Sequence, residues 1–103
     1  MTVVYEVNLT VDPDVAARFR SWLPTHVEEV CRLSGFIGAE VLEVIEPSGA
    51  HRAYRISYTV RDQDALSDYL RDHAPRMRQD GISRFGDRFG AVRRILGTLR
   101  SED

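Results

Sequence analysis

Val3, Tyr5, Val7, Leu9 and Val11 alternate with Glu6, Asn8 and Thr10, a two-residue period that predicts a half-buried β-strand. The period then changes. Val15, Phe19, Trp22, Leu23, Val27, Val30 and Cys31 recur at three- and four-residue steps, the spacing of an amphipathic helix. Asp12 fits the N-cap of that helix, with Pro13 at the first helical position, where its missing N–H costs nothing. Pro24 is expected to kink or restart the helix, and Gly35 to close it. Phe36 to Ile45 reads as a second strand with apolar residues on both faces, Phe36, Leu42 and Val44 against Ile37, Val41 and Ile45. Pro47-Ser48-Gly49 is the turn after it. Arg52 to Val60 alternates again, with Tyr54, Ile56, Tyr58 and Val60 on one side and Arg55, Ser57 and Thr59 on the other. Asp62 caps a second helix with the stripe Leu66, Tyr69, Leu70, His73, Ala74 and Met77. Gly81 or Gly86 ends it, and Phe89 to Leu99 is the last strand.

The first and third strands are degenerate copies. Val4-Tyr5-Glu6-Val7-Asn8-Leu9-Thr10-Val11 is echoed by Ala53-Tyr54-Arg55-Ile56-Ser57-Tyr58-Thr59-Val60, and each copy runs into Asp-x-Asp and a helical stripe. Gly38-Ala39 and Gly90-Ala91 repeat in the same sense. A βαββαβ order with two similar halves predicts an α+β, ferredoxin-like domain over residues 1–103, a four-stranded antiparallel sheet with two helices on one face. The repeated strands should be its central neighbours. The other face then needs a cover, and a second copy of the chain is the simplest one. Glu6, Asn8, Arg55 and Ser57 fall on that dimer face, with Glu6 and Arg55 within diagonal reach.

Composition alters this picture in three ways. No apolar run approaches the ~20 residues of a membrane span, and the chain opens in strand-like alternation without a signal core, so a cytoplasmic location is expected. One cysteine, Cys31, excludes an internal disulfide and sits on a core stripe. All 14 basic residues are arginine, three in residues 1–51 and eleven in 52–103, against eight acids in each half. The absence of lysine fits a base-composition bias; the arginine-rich half could otherwise face an anion, since the guanidinium fork suits carboxylate or phosphate, or the acidic half of another subunit.

The N-terminal V-Y-E-V-N-L-T-V, Trp22-Leu23-Pro24, and His73 to Arg78 through Arg84-Phe85-Gly86-Asp87-Arg88-Phe89 resemble a small bacterial family of unknown function. That family in turn resembles the dimeric α+β-barrel superfamily, in which two sheets pack face to face. The resemblance implies a homodimer and supplies no activity. The superfamily includes cofactor-free monooxygenases of antibiotic biosynthesis, which bind aromatic polyketides between sheet and helices. Trp22, His26, Tyr54, Tyr58 and His73 could line a comparable pocket for a small apolar or aromatic ligand. A histidine there could shuttle a proton near neutral pH. The same aromatics also fit plain core packing.

Other chemistries find little support. The three histidines, at 26, 51 and 73, have no metal-ligand spacing, and no glycine-rich phosphate loop occurs, so neither a metal nor a cofactor is expected. The first strand resembles that of RNA-recognition domains, yet Arg52 to Tyr58 lacks the companion aromatic motif, and nucleic acid is an unlikely partner. The expectation is a protein without catalysis or one that binds a small ligand. A cofactor-independent, monooxygenase-like enzyme acting on a small aromatic is the alternative, and an RNA-binding domain a distant one.

Overall fold

A computed structural model describes residues 1–45 and 49–102. Four strands, β1 (Val3–Val11), β2 (Phe36–Glu43), β3 (Arg52–Val60) and β4 (Phe89–Gly97), form one antiparallel sheet in the order β2-β3-β1-β4. Three helices, α1 (Ala16–Cys31), α2 (Gln63–Asp72) and α3 (Ala74–Phe85), complete the ferredoxin-like α+β arrangement. Among the described residues, no helix is long and apolar enough to cross a membrane.

The repeated strands are the central pair, as their echo predicts. Tyr5 lies opposite Tyr58 and Leu9 opposite Tyr54, a register that exchanging the two halves preserves. The glycine echo obeys the same two-fold, since Gly38 pairs with Thr59 on β3 and Gly90 with Thr10 on β1. The side of β1 and β3 toward the helices is continuous core: Val3, Tyr5, Val7, Leu9 and Val11 beside Tyr54, Ile56, Tyr58 and Val60. Phe19, Leu23, Val27 and Val30 of α1 are buried in it together with Leu66 and Tyr69 of α2 and Met77 and Phe85 of α3. Trp22 and Leu70, expected in the stripes, are only partly buried against it.

Several local expectations are corrected. Asp12 does not cap α1. Val15 occupies that position without a side-chain cap, and the Asp12 carboxylate instead meets Arg88 Nε at 3.3 Å and His51 Nε2 at 3.2 Å. Pro24 lies exposed within α1, which continues as one helix to Cys31. Gly35 lies beyond the α1 C-cap residue, Arg32, and serves the turn into β2. Its φ of 89° and the 2.5 Å gap from an ideal Cβ to Ala65 Cβ require glycine there. The second helical region is two helices, broken at His73 with Pro75 in the first turn of α3. Asp62 does cap α2, accepting from Ala65 N at 2.8 Å. Gly81 is buried inside α3, and Gly86 is the residue that ends it. β2 and β4 stop at Glu43 and Gly97, short of Ile45 and Leu99. Of the expected turn, Pro47 and Ser48 lie outside the described residues.

The two-sided burial expected of the second strand does not occur. β2 is an edge strand, and a bulge between Phe36 and Gly38 leaves Ile37 without a partner residue. That extra residue shifts every later side chain to the opposite face. Phe36 therefore joins the helix side, 4.9 Å from the Tyr69 ring and 5.5 Å from Tyr58, and parts company with Leu42.

Candidate functional site

A cleft with a volume of about 250 Å³ lies between the helix side of the sheet and helices α1 and α3. Its floor is β1 (Tyr5, Val7, Leu9), Ile56 and Tyr58 of β3, and Phe89, Ala91 and Arg93 of β4. Trp22 and His26 come from α1, Met77, Arg78 and Gly81 from α3. Trp22 and His26 are one helical turn apart, so they share a face of α1. Their rings are stacked with centroids 4.5 Å apart. Trp22 also meets Phe19 and Phe85 edge-on, each at 5.4 Å. Gly81 allows α3 this close, because a Cβ there would stand 3.2 Å from the Phe89 ring and 3.3 Å from Trp22.

The polar groups of this aromatic cleft are few and incompletely satisfied. His26 Nδ1 is buried and has no hydrogen-bond partner among the described residues. Burial chiefly, helped by the charge of Arg93, lowers the His26 pKa against the opposing pull of Asp80 and Glu29, so the ring is neutral at pH 7. Burial likewise raises the Tyr58 hydroxyl well above the usual phenol range and pushes Tyr69 up to about 12, leaving both as neutral donors. Arg78 donates from Nη2 to the Tyr5 hydroxyl at 3.2 Å. Among the described residues, no aspartate or glutamate lines the cleft.

Of the residues singled out from sequence, Trp22, His26 and Tyr58 come together here. Tyr54 does not reach the cleft; its ring packs 6.3 Å from Phe19 in the core. His73 also stands apart, at the helix break, with Nδ1 3.1 Å from Arg76 Nη2 and its ring 6.4 Å from Tyr69. Cys31 is half-buried with a raised pKa from that burial, which suits packing rather than attack. Among the described residues, no group of three or more His, Cys, Asp or Glu could hold a metal ion. Sequence reasoning missed Arg78 and Arg93. The available signal was Arg93 itself, a charge two residues after Ala91 and two before Ile95 in a strand whose helix side is otherwise apolar.

The opposite, open face is built differently. Glu6 lies opposite Ser57 on one side and Arg94 on the other, and Asn8 opposite Arg55. Glu6 Oε1 accepts from Asn8 Nδ2 at 2.8 Å and meets Arg94 Nη2 at 2.7 Å, while Arg55 Nη1 is 3.9 Å from Oε2. The Asn8 hydrogen bond first, then Arg94, holds the Glu6 carboxyl below the usual range. Glu6 is only 3% exposed, although it lies on the sheet surface rather than deep in the protein, because its flanking side chains cover it. Leu42, Val92 and Leu96 are exposed on this face, Val92 at 67%. Among its described residues no aromatic is present, so the stacking platform of an RNA-recognition sheet is missing.

The sheet order and the helices packed on it define a ferredoxin-like α+β fold, and solved structures described as antibiotic biosynthesis monooxygenases are among those that superpose on the chain. A candidate antibiotic biosynthesis monooxygenase from Deinococcus radiodurans matches with a TM-score of 0.75 at 14% identity, over 98% of this chain and 96% of that one. A variant of SnoaB, a cofactor-independent oxygenase from Streptomyces nogalater, gives 0.72 at 17% identity over 97% and 95%. Rv0793 from Mycobacterium tuberculosis gives 0.72 at 15% identity over the whole of both chains. At such identities the likeness is one of fold. The chain itself belongs to the family described as a domain of unknown function, DUF4286, whose model matches residues 2–99. No curated protein matches it significantly in sequence.

Proposed function

We propose that this protein binds a small planar aromatic molecule in the cleft between its sheet and helices α1 and α3. The observation that carries the reading is one cavity with aromatic walls that the His26 ring also lines, its buried Nδ1 without a partner among the described residues. Purely structural cores leave few buried polar atoms unsatisfied, and ligand sites are apolar concavities with a few convergent polar groups. A volume of about 250 Å³ lies just below the ~300–1,000 Å³ typical of drug-sized ligands, which points to one or two fused rings. Calorimetric titration with naphthalene derivatives and with aliphatic compounds of equal size tests this. The aromatic series should bind one to one, and Ala91→Phe, which fills the cleft from β4, should abolish it. Equal binding by the aliphatic series, or binding that survives Ala91→Phe, would remove the reading.

A second reading, cofactor-independent oxygenation of an aromatic substrate, is favoured by the neutral state of His26 in the same cavity. The His26 imidazole would accept a proton from a phenol or enol, and the resulting electron-rich anion would reduce dioxygen, the co-substrate. One oxygen atom would enter the ring to give a quinone and the other leave as water. The name of SnoaB states cofactor-independent oxygenase activity for that protein. Oxygen consumption with a naphthalenediol is the test. Uptake should disappear in His26→Gln while binding persists, and no uptake above buffer would leave binding alone.

The homodimer belongs to the same proposal, with the open sheet face as its interface. Glu6 Oε2 lies 3.9 Å from Arg55, too far for a hydrogen bond. A second copy across a two-fold axis would cover Leu42 on one edge strand and Val92 and Leu96 on the other, together with the polar group between them.

A further inference from the structure

We infer that the aromatic ligand of the cleft is an anion, a carboxylate or equivalent oxyanion held by Arg78 and Arg93. The inference rests on the ligand-binding reading above and adds the chemical class.

Arg93 lies opposite Val7 in the β1–β4 register, and residues so paired share a face. Its side chain therefore enters the helix side of the sheet, where Phe89 and Ala91 precede it on β4. Arg94, the next residue, points to the open face and is paired with Glu6. Arg71, Arg84 and Arg88 likewise sit on carboxylates. Arg93 has no carboxylate partner among the described residues. Arg78, from the facing helix α3, has one neutral partner, the Tyr5 hydroxyl. A guanidinium offers five donors in a planar fork, so both arginines keep donors open to a ligand. The charge of Arg93 bears on His26, Tyr58 and Tyr69 alike, which centres it on the cleft.

Two guanidinium groups line an aromatic cavity whose described lining residues include no acid, and an anionic ligand would supply the missing charge. Bidentate guanidinium–carboxylate geometry is among the strongest polar contacts available, and the aromatic walls supply the apolar contact for a ring bearing that group. The neutral Tyr hydroxyls add donors to the same oxyanion without competing charge.

Isothermal titration calorimetry with 2-naphthoate and its neutral isostere 2-naphthamide tests the charge separately from the ring. The carboxylate should bind about tenfold or more tighter, the scale expected of one charge-assisted contact. Arg93→Gln should remove that preference, weakening naphthoate about tenfold and naphthamide less. Arg93→Lys should retain part of it. Equal affinities of the native protein for both compounds, or a preference for the amide, would overturn the anion assignment while leaving the aromatic site intact. Failure of both compounds to bind would overturn the two together. A preference that survives both Arg93→Gln and Arg78→Gln would also overturn the assignment, since the charge would then be read elsewhere.

Discussion

The two faces of the central strands carry opposite solutions to the same problem. On the helix side, Tyr5, Val7 and Leu9 of β1 face Ile56 and Tyr58 of β3 as continuous core. On the open side, Glu6 and Asn8 face Arg55 and Ser57, with Arg94 closing the group from β4. Alternation along one strand thus builds an aromatic-walled cavity and a charge cluster back to back. The adjacent residues Arg93 and Arg94 expose the contrast. The open face pairs Arg94 with Glu6, whereas the helix side gives Arg93 no acid among the described residues. Chemistry is to be sought where charge is left over.

If the helix side is the structural core, truncation there should dominate stability. Phe19 is fully buried, with rings of Trp22, Phe85 and Phe89 within 5.4 Å. Phe19→Ala should cost about 3–5 kcal/mol in denaturant unfolding. Trp22, half-exposed over the cleft, should cost less, about 2 kcal/mol, because part of its area already faces solvent. Similar losses would mean the cleft is closed and Trp22 is ordinary core.

Glycine substitutions sharpen the contrast. Gly35→Ala meets both a positive φ and the Ala65 methyl, so a loss of about 2–4 kcal/mol is expected. Gly38 lies on the open face with nothing within 4 Å of an added Cβ, and Gly38→Ala should stay within about 0.5 kcal/mol in the isolated chain. Equal effects would erase the distinction between the faces.

For the open face the readout is assembly. Light scattering should give twice the chain mass of 11.8 kDa, and Arg55→Ala should raise the dissociation constant about tenfold or more, as for loss of a partner in a desolvated charge cluster. Arg18→Ala, which loses only a contact with the Phe85 ring at 5.8 Å on the other side, should leave it unchanged. A mass of one chain at all concentrations would remove the interface.

The smallest expected effect separates the two ionisable centres by pH. His26 has a folded pKa lowered by burial, so the unfolded chain binds the proton more readily. Its contribution is present above the unfolded pKa of about 6.5 and is lost as pH falls through the folded value. Glu6, also lowered, loses its contribution further down, below the carboxylate range near 4.5. Between pH 7 and 5.5 the native protein should therefore lose more stability than His26→Gln. Identical profiles would show that His26 is not buried as a neutral ring.

Most of the fold was legible in residue order. The repeat fixed the central pair and the alternation assigned both of its faces, because a two-residue period leaves no choice of side once one face is buried. What escaped were features set by single insertions and by competition for a side chain. The bulge at Ile37 has no compositional mark, and it alone moved Phe36 to the core. Asp12 satisfies every local rule for a cap but is claimed by Arg88 and His51, which come from distant parts of the chain. Within the cleft, Trp22 and His26 could be paired by helical spacing. Their juxtaposition with Arg78 and Arg93 depends on how α3 settles over β4, which Gly81 permits and no periodicity encodes.

The most direct test of the division between the faces is a methyl-labelled NMR titration with 2-naphthoate. Shifts should concentrate on Val7, Leu9, Leu23 and Ile82, which line the cleft, and leave Leu42, Val92 and Leu96 on the open face unmoved. Shifts centred on the open-face methyls, with Val7 and Leu23 unchanged, would contradict the assignment of the site to the helix side.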